Sequence, residues 1–286
     1  MRRLLLLLLA ALALAGCGGG ETTVEEEPKS ASTDALAAAA TATEAAGSYR
    51  ADIEITMEGL APEPVTMTAE GVFSREPVLA RMTMDMSDLG TGTGFVEIGE
   101  IEMVMDGLVV YMRMPFLQEL SPGLKPWIKF DLQELGEQQG FDFEQLMQFG
   151  TQSDPSQALA YLRAASDDVE EVGTEDVRGV ETTHYGMTVE LARVADAAPP
   201  EQREALRVQT EQLRELSGIS RVPTEVWVDD EGLVRRQRLT YRDMRFAPGQ
   251  EGDMTVTMEL YDFGVEVNVE PPPADEVTDI GELLGG

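Results

Sequence analysis

The sequence is poor in the residues that usually carry chemistry. Its 286 residues include one cysteine, Cys17, and one histidine, His184. No disulfide can form within the chain, so the fold must rest on its core. Metal sites and nucleophilic triads usually need partners of kinds this chain lacks. His184 falls on the polar side of its strand, where it reads as a surface or turn-stabilising residue. There is no Gly-x-Ser-x-Gly elbow and no phosphate loop. Bases are scarce as well: 21 Lys and Arg stand against 53 Asp and Glu, for a formal net charge of −32. Such a chain has no basic patch for nucleic acid, and anionic lipid head groups repel it. With so many acids, paired carboxylates arise by abundance and carry no catalytic signal. Asp229-Asp230-Glu231-Gly232 has the composition of a calcium loop without its alternating spacing, and reads as a hairpin turn. The expectation is a protein that is not an enzyme, with no catalytic residues, no metal and no cofactor.

What is present begins with a greasy leader. Arg2 and Arg3 precede an apolar run, Leu4 to Ala15, and small Gly16 precedes Cys17. That is the layout of a secretory signal peptide. The run falls short of the roughly 18 apolar residues that a spanning helix needs. Leu14-Ala15-Gly16-Cys17 looks like a bacterial lipobox, in which the thiol is acylated and the chain is cut just before it. The alternative is an ordinary signal peptide that happens to hold a cysteine. Lipidated Cys17 would hold the acidic chain at the cell membrane, on its extracytoplasmic face, because two or more acyl chains anchor stably. Residues 1–16 are then the signal peptide and 17–32 a tether with almost nothing to bury.

Beyond the tether the pattern predicts a helix over Thr33 to Gly47, capped by Ser32 or Thr33 and filled with alanine. The period then changes to two. Ile53, Ile55 and Met57 alternate with polar residues, as do Val65, Met67, Ala69 and Phe73, and then Met82, Met84 and Met86. Gly94–Met105 and Leu108–Met114 continue the series around the turn signal Asp106-Gly107, and Pro126–Asp131 makes a sixth strand. A helical interval covers Leu132 to Ala165, clearest from Asp154-Pro155 onward. Strands return at Asp168–Thr174 and Val177–Leu191, where Tyr185, Met187, Val189 and Leu191 share a face. Pro199–Ser217 reads as a helix with the seam Leu206, Leu213 and Leu216. Val222–Asp229, Leu233–Phe246 and Asp253–Phe263 complete the strands. Residues 267–286 form an acidic, proline-rich tail expected to fray. The fold class is α+β: a curved antiparallel sheet of about eleven strands, a half-barrel, with helices packed on its concave face.

Two stretches carry a resemblance. One is Val177-Arg178-Gly179-Val180-Glu181-Thr182-Thr183-His184-Tyr185. The other is Val222-Pro223-Thr224-Glu225-Val226-Trp227-Val228-Asp229-Asp230-Glu231-Gly232. With the lipobox and the order of one helix and then many strands, the chain resembles the actinobacterial LppX/LprAFG lipoprotein family, whose architecture is shared by the LolA and LolB carriers. The resemblance implies a half-open antiparallel barrel with helices inside, over residues 33–266. It also implies an apolar cavity that takes an acylated lipid or glycolipid, for carriage or transfer within the cell envelope. A transport partner in the envelope is implied too, without its identity. The alternative is an envelope sensor that binds a partner's peptide or a lipoprotein on the same sheet.

Methionine is the residue that suits such a cavity, since thioethers adapt to varied apolar partners. The groove candidates are Ile55, Met57, Met67, Met82, Met84, Met86, Met103, Met105, Val110, Met112, Tyr185, Met187, Val189 and Met258. The same residues serve equally as ordinary core under the helices. The arginines Arg221, Arg235, Arg236, Arg238, Arg242 and Arg245 have two uses as well. They can meet an anionic head group or pair with acids on neighbouring strands.

Overall fold

The structure is a computed structural model. It describes residues 30–90, 98–121, 123–134, 166, 169–193, 200–247 and 249–281. In chain order the elements are α1 (Ser30–Ala45), β1 (Ser48–Glu58), β2 (Val65–Ser74), β3 (Leu79–Asp85), α2 (Ser87–Gly90), β4 (Glu100–Asp106), β5 (Val109–Arg113), α3 (Pro115–Leu120) and β6 (Trp127–Asp131). Then follow β7 (Glu170–Val177), β8 (Val180–Glu190), α4 (Pro200–Ser217), β9 (Arg221–Asp229), β10 (Val234–Ala247), β11 (Gln250–Tyr261) and β12 (Val277–Asp279). The strands form one sheet in the order β12-β6-β5-β4-β3-β2-β1-β11-β10-β9-β8-β7. It is mostly antiparallel; β12 joins β6 in parallel. The α+β class and the large open sheet thus stand, with twelve strands where about eleven were expected.

Contacts divide the chain into two compact units: one from Met1–Ala45 and Leu146–Thr255, the other from Ala46–Gln145 and Val256–Gly286. In the second unit, register turns the alternating sequence into shared rows, because directly opposed residues of an antiparallel pair project to the same side. Gly71, Met82, Met103, Met112 and Ile128 are successive partners across β2, β3, β4, β5 and β6. Ala80, Met105, Val110 and Phe130 form the next row. Gly71 is required where it sits: a Cβ there would lie 2.8 Å from the Arg81 carbonyl oxygen and 3.0 Å from the Phe73 ring.

In the first unit, β7 and β8 join through a two-residue turn. Arg178 and Gly179 both adopt positive φ, 53° and 81°, as a type I′ hairpin demands. Asp176 Oδ1 accepts the Gly179 amide at 2.7 Å. α4 is fastened at its C-terminus. Ser217, 1% exposed, donates to the Leu213 carbonyl at 2.6 Å. Arg245 donates to the Glu215 carbonyl at 2.9 Å.

Several expectations shift. α1 begins at Ser30, so Thr33 is a buried helix residue and not its cap. The β4–β5 turn falls one residue later than Asp106-Gly107, since Asp106 pairs with Val109. The leucine seam of α4 fails at Leu216, which is 54% exposed. The helix end is held through Ser217 and its own carbonyls, so that seam position faces solvent. Up to residue 281 the tail is ordered where fraying was expected. It forms a turn at Ala274–Glu276 and then β12, fixed by Lys125 and Lys129. Most of the helical interval from Leu132 to Ala165 lies outside the described residues, as do the leader, Cys17 and the first part of the Gly94–Met105 strand.

Candidate ligand cleft

Alanine recurs on α1 at 35, 38, 39 and 42, the spacing that places residues on one side of a helix. This side faces the strands of the first unit. Leu36 and Ala39 close a buried cluster with Tyr185, Met187, Val226 and Val228. The far half of the helix is pinned by Thr43, whose Oγ1 accepts the Val234 amide at 2.8 Å. Because the remaining positions are only alanine, helix and sheet do not fill the space between them. A cleft of about 330 Å³ remains, lined by Ala35, Ala38, Ala39 and Ala42, by Thr183 and Tyr185 of β8, by Val228 and Asp229, and by the turn 230–232. That is the lower end of the range for small-ligand sites, about 300–1,000 Å³.

The cleft is half open to solvent, walled by alanine, Tyr185 and Val228 and rimmed by Asp229, Asp230 and Glu231. Its Tyr185 hydroxyl is pushed up by burial and by the Glu171 charge, so it stays protonated. Asp229 is fully engaged. Its Oδ1 accepts the amides of Glu231 at 3.0 Å and Leu233 at 2.8 Å, and its Oδ2 accepts Arg235 Nε at 2.5 Å. The sequence 229–232 is therefore a carboxylate-stapled hairpin turn, as its spacing suggested.

Of the fourteen groove candidates, only Tyr185 lines this cleft. Met187 belongs to the buried cluster beside it, with Val189 packed against that cluster. Ile55, Met57, Met67, Met82, Met84, Met103, Met105, Val110 and Met112 share the row-forming face of the second unit. Within that face Ile55, Met57, Met67, Met82 and Val110 are buried, whereas Met84, Met103, Met105 and Met112 are half-buried. Met86 follows the end of β3 and is buried, its amide donating to the Gly99 carbonyl at 3.0 Å. Met258 is half-buried on β11. What methionine counting missed is the alanine side of α1. Its signal was in the sequence: small residues at helical spacing, where a core helix would carry leucine.

The arginine cluster resolves largely into cross-strand pairs on the opposite face of the first unit. A bulge in β10 makes Arg235 an extra residue, so Val234 pairs Val228 while Arg236 pairs Trp227. Arg236 reaches Glu175 at 3.0 Å, Arg238 reaches Glu225 at 3.5 Å and Arg221 reaches Glu190 at 3.3 Å. The guanidinium carbons of Arg236 and Arg238 each lie 5.2 Å from the Trp227 ring centroid, a cation–π distance. Arg242 is exposed on β10. His184 is on the polar face as expected, but it is not a free surface residue. It is the register partner of Trp227, stacks on it at 4.2 Å and 8°, and its side chain is 14% exposed. Its Nε2 lies 3.0 Å from Glu225 Oε1, without the alignment of a hydrogen bond.

Among the described residues, no three His, Cys, Asp or Glu side chains group as metal ligands. None of the described helices is long and apolar enough to cross a membrane. A second cleft, of about 250 Å³, lies in the other unit between Arg81, Val104, Trp127 and residues 270–273.

No family model matches the sequence. An uncharacterized 31.2 kDa protein of Streptomyces griseus, from the rplA-rplJ intergenic region, is 32% identical over 174 residues, which are 61% of this chain and 54% of the relative. A candidate lipoprotein of Streptomyces coelicolor is 30% identical over 165 residues, 57% of this chain and 45% of the relative. The matches thus span about half the length of these relatives. Among solved structures, lipoprotein LppX of Mycobacterium tuberculosis aligns at 14% identity over 84% of this chain and 98% of its own, with a TM-score of 0.49. LprF of Mycobacterium bovis aligns at 12% identity over 85% and 97%, also at 0.49. The chain is therefore similar in sequence to streptomycete proteins, one of them named as a candidate lipoprotein, and it aligns along most of its length with two mycobacterial lipoproteins.

Proposed function

We propose that this protein is an extracytoplasmic lipoprotein, anchored to the cell membrane by acylated Cys17, that binds the acyl part of a lipid or glycolipid and carries or transfers it within the envelope. The observation that carries this reading is the alanine-faced cleft under α1. Small side chains over Tyr185 and Val228 leave room for a slim apolar ligand. Each methylene withdrawn from water there contributes about 0.8 kcal/mol, so micromolar binding, worth about 8 kcal/mol, takes about ten of them. The name of the Streptomyces coelicolor relative supports the anchor, as does the leader ending in Leu14-Ala15-Gly16-Cys17. The anchor keeps an acidic domain at a surface that would otherwise repel it.

The test is lipid extraction and mass spectrometry of the native chain purified with Cys17→Ala, so that its own acyl groups are absent, together with uptake of a fluorescent fatty acid. Ala38→Leu and Ala42→Leu place bulk in the cleft and should lower probe uptake at least tenfold with little change in stability. A chain that carries no lipid and takes up no probe overturns the reading. So does uptake that both substitutions leave unchanged, since the ligand would then sit elsewhere.

A further inference from the structure

Acyl binding leaves the C-terminal segment without a role. After Tyr261 the backbone runs without regular structure through Pro271-Pro272-Pro273, turns at Ala274–Glu276 and enters β12. β12 has only three residues. Val277 pairs Trp127, Thr278 pairs Ile128 and Asp279 pairs Lys129, in parallel along the outer side of β6. Lysine holds it there. Lys125 donates Nζ to the Val277 carbonyl at 2.8 Å and its backbone amide to Thr278 Oγ1 at 3.2 Å. Lys129 donates Nζ to Asp279 Oδ2 at 3.1 Å. The whole chain has three lysines, Lys29, Lys125 and Lys129. Two of the three flank or sit on β6 and grip one acidic strand.

We propose that β6 is a strand-docking edge that takes β12 from a second copy of the chain as well as from its own, so that two copies pair by exchanging C-terminal strands. Three backbone pairs at a sheet edge open at low cost. A bare β6 would be an unpaired edge seeking a strand. Each copy carries the strand that fits, and the exchanged pair makes the same contacts as the closed monomer, which is why such exchange is a low-cost route to a symmetric dimer. Ser48 of β1 holds Gly264 and Val265, so the connection is residues 266–273, with three consecutive prolines that favour an extended chain; at about 3.1 Å per residue they reach roughly 25 Å. If the proposed anchor holds, copies confined to one membrane meet at raised effective concentration; the exchange itself does not depend on acyl binding.

Charge reversal tests this with two variants of the full chain, Lys129→Glu and Asp279→Lys. Each alone places like charges at the β6–β12 contact within its own copy. In an exchanged pair of the two variants, both contacts become oppositely charged again. Light scattering after size exclusion should show monomers for each variant alone and dimers when they are mixed. The native chain gives a second readout without substitution. Unlabelled and ¹⁵N-labelled batches are mixed at high concentration and coupled with a carbodiimide, which joins Lys129 to a touching carboxylate. Mixed-label Lys129–Asp279 peptides, approaching half of that product, are expected. Variants that stay monomeric when mixed, with same-label peptides alone from the native chain, overturn the proposal whether or not the domain binds lipid.

Discussion

Trp227 of β9 donates its indole N–H to Glu175 Oε2 of β7 at 2.8 Å, across the intervening strand β8. His184 of β8 stacks against the same ring, and Arg236 of β10 closes on the other Glu175 oxygen. One tryptophan, 1% exposed, thus ties four strands together on the face opposite the candidate cleft.

Glu175→Ala should destabilise the domain by about 1–3 kcal/mol, the cost of leaving a buried donor without its acceptor; Glu175→Gln, which still accepts, should recover most of it. The Trp227 N–H and then the Arg236 guanidinium hold the Glu175 carboxyl below its usual range. A depressed carboxyl contributes stability above its unfolded value and loses it as pH falls through the folded value. Urea unfolding of native and Glu175→Ala chains should therefore differ most near neutral pH, and the gap should narrow in acid to the share that the protonated carboxyl, still an acceptor, retains. A gap that does not narrow by pH 2 would contradict the assignment.

Thr43→Val should loosen α1. The side chain keeps its shape, but the Val234 amide loses its acceptor, at a cost of about 1–3 kcal/mol if no water replaces it. Hydrogen exchange at Val234 should accelerate well beyond that of the β8–β9 pairs, and acyl probe affinity should fall with it.

Met67→Ala should cost about 2–5 kcal/mol, as expected for a large buried side chain; Met67 is 2% exposed. Met103→Ala, on the same face but half-buried, should cost clearly less. Denaturation midpoints of the two variants separate core methionines from those with surface left to offer.

Cys17→Ala should abolish acylation of the chain, since Cys17 is its one thiol. Labelling with a tagged fatty acid during expression in a lipoprotein-processing host measures this directly. Label retained by the variant would place the lipid elsewhere.

The sequence by itself determined the elements. Period-two alternation marked strands such as β1, β2, β3 and β8, residues 229–232 marked a turn, and the alanines marked α1, because dihedral preference and side-chain direction are local properties; the turn at Arg178-Gly179 falls inside the strand expected over Val177–Leu191 and was not marked. Its acidity and its leader limited the partners it can have. Only the tertiary structure decided which apolar residues are filled core and which border open space. Met67 and Met103 look alike in sequence, and the cleft depends on how close α1 lies to Tyr185, a residue far along the chain. Nor could the tail's fate be read locally. Val277-Thr278-Asp279 is a strand because β6 offers an edge with Lys125 and Lys129 beside it, and pairing between distant segments is settled by register and charge across space, not by the segment's own pattern.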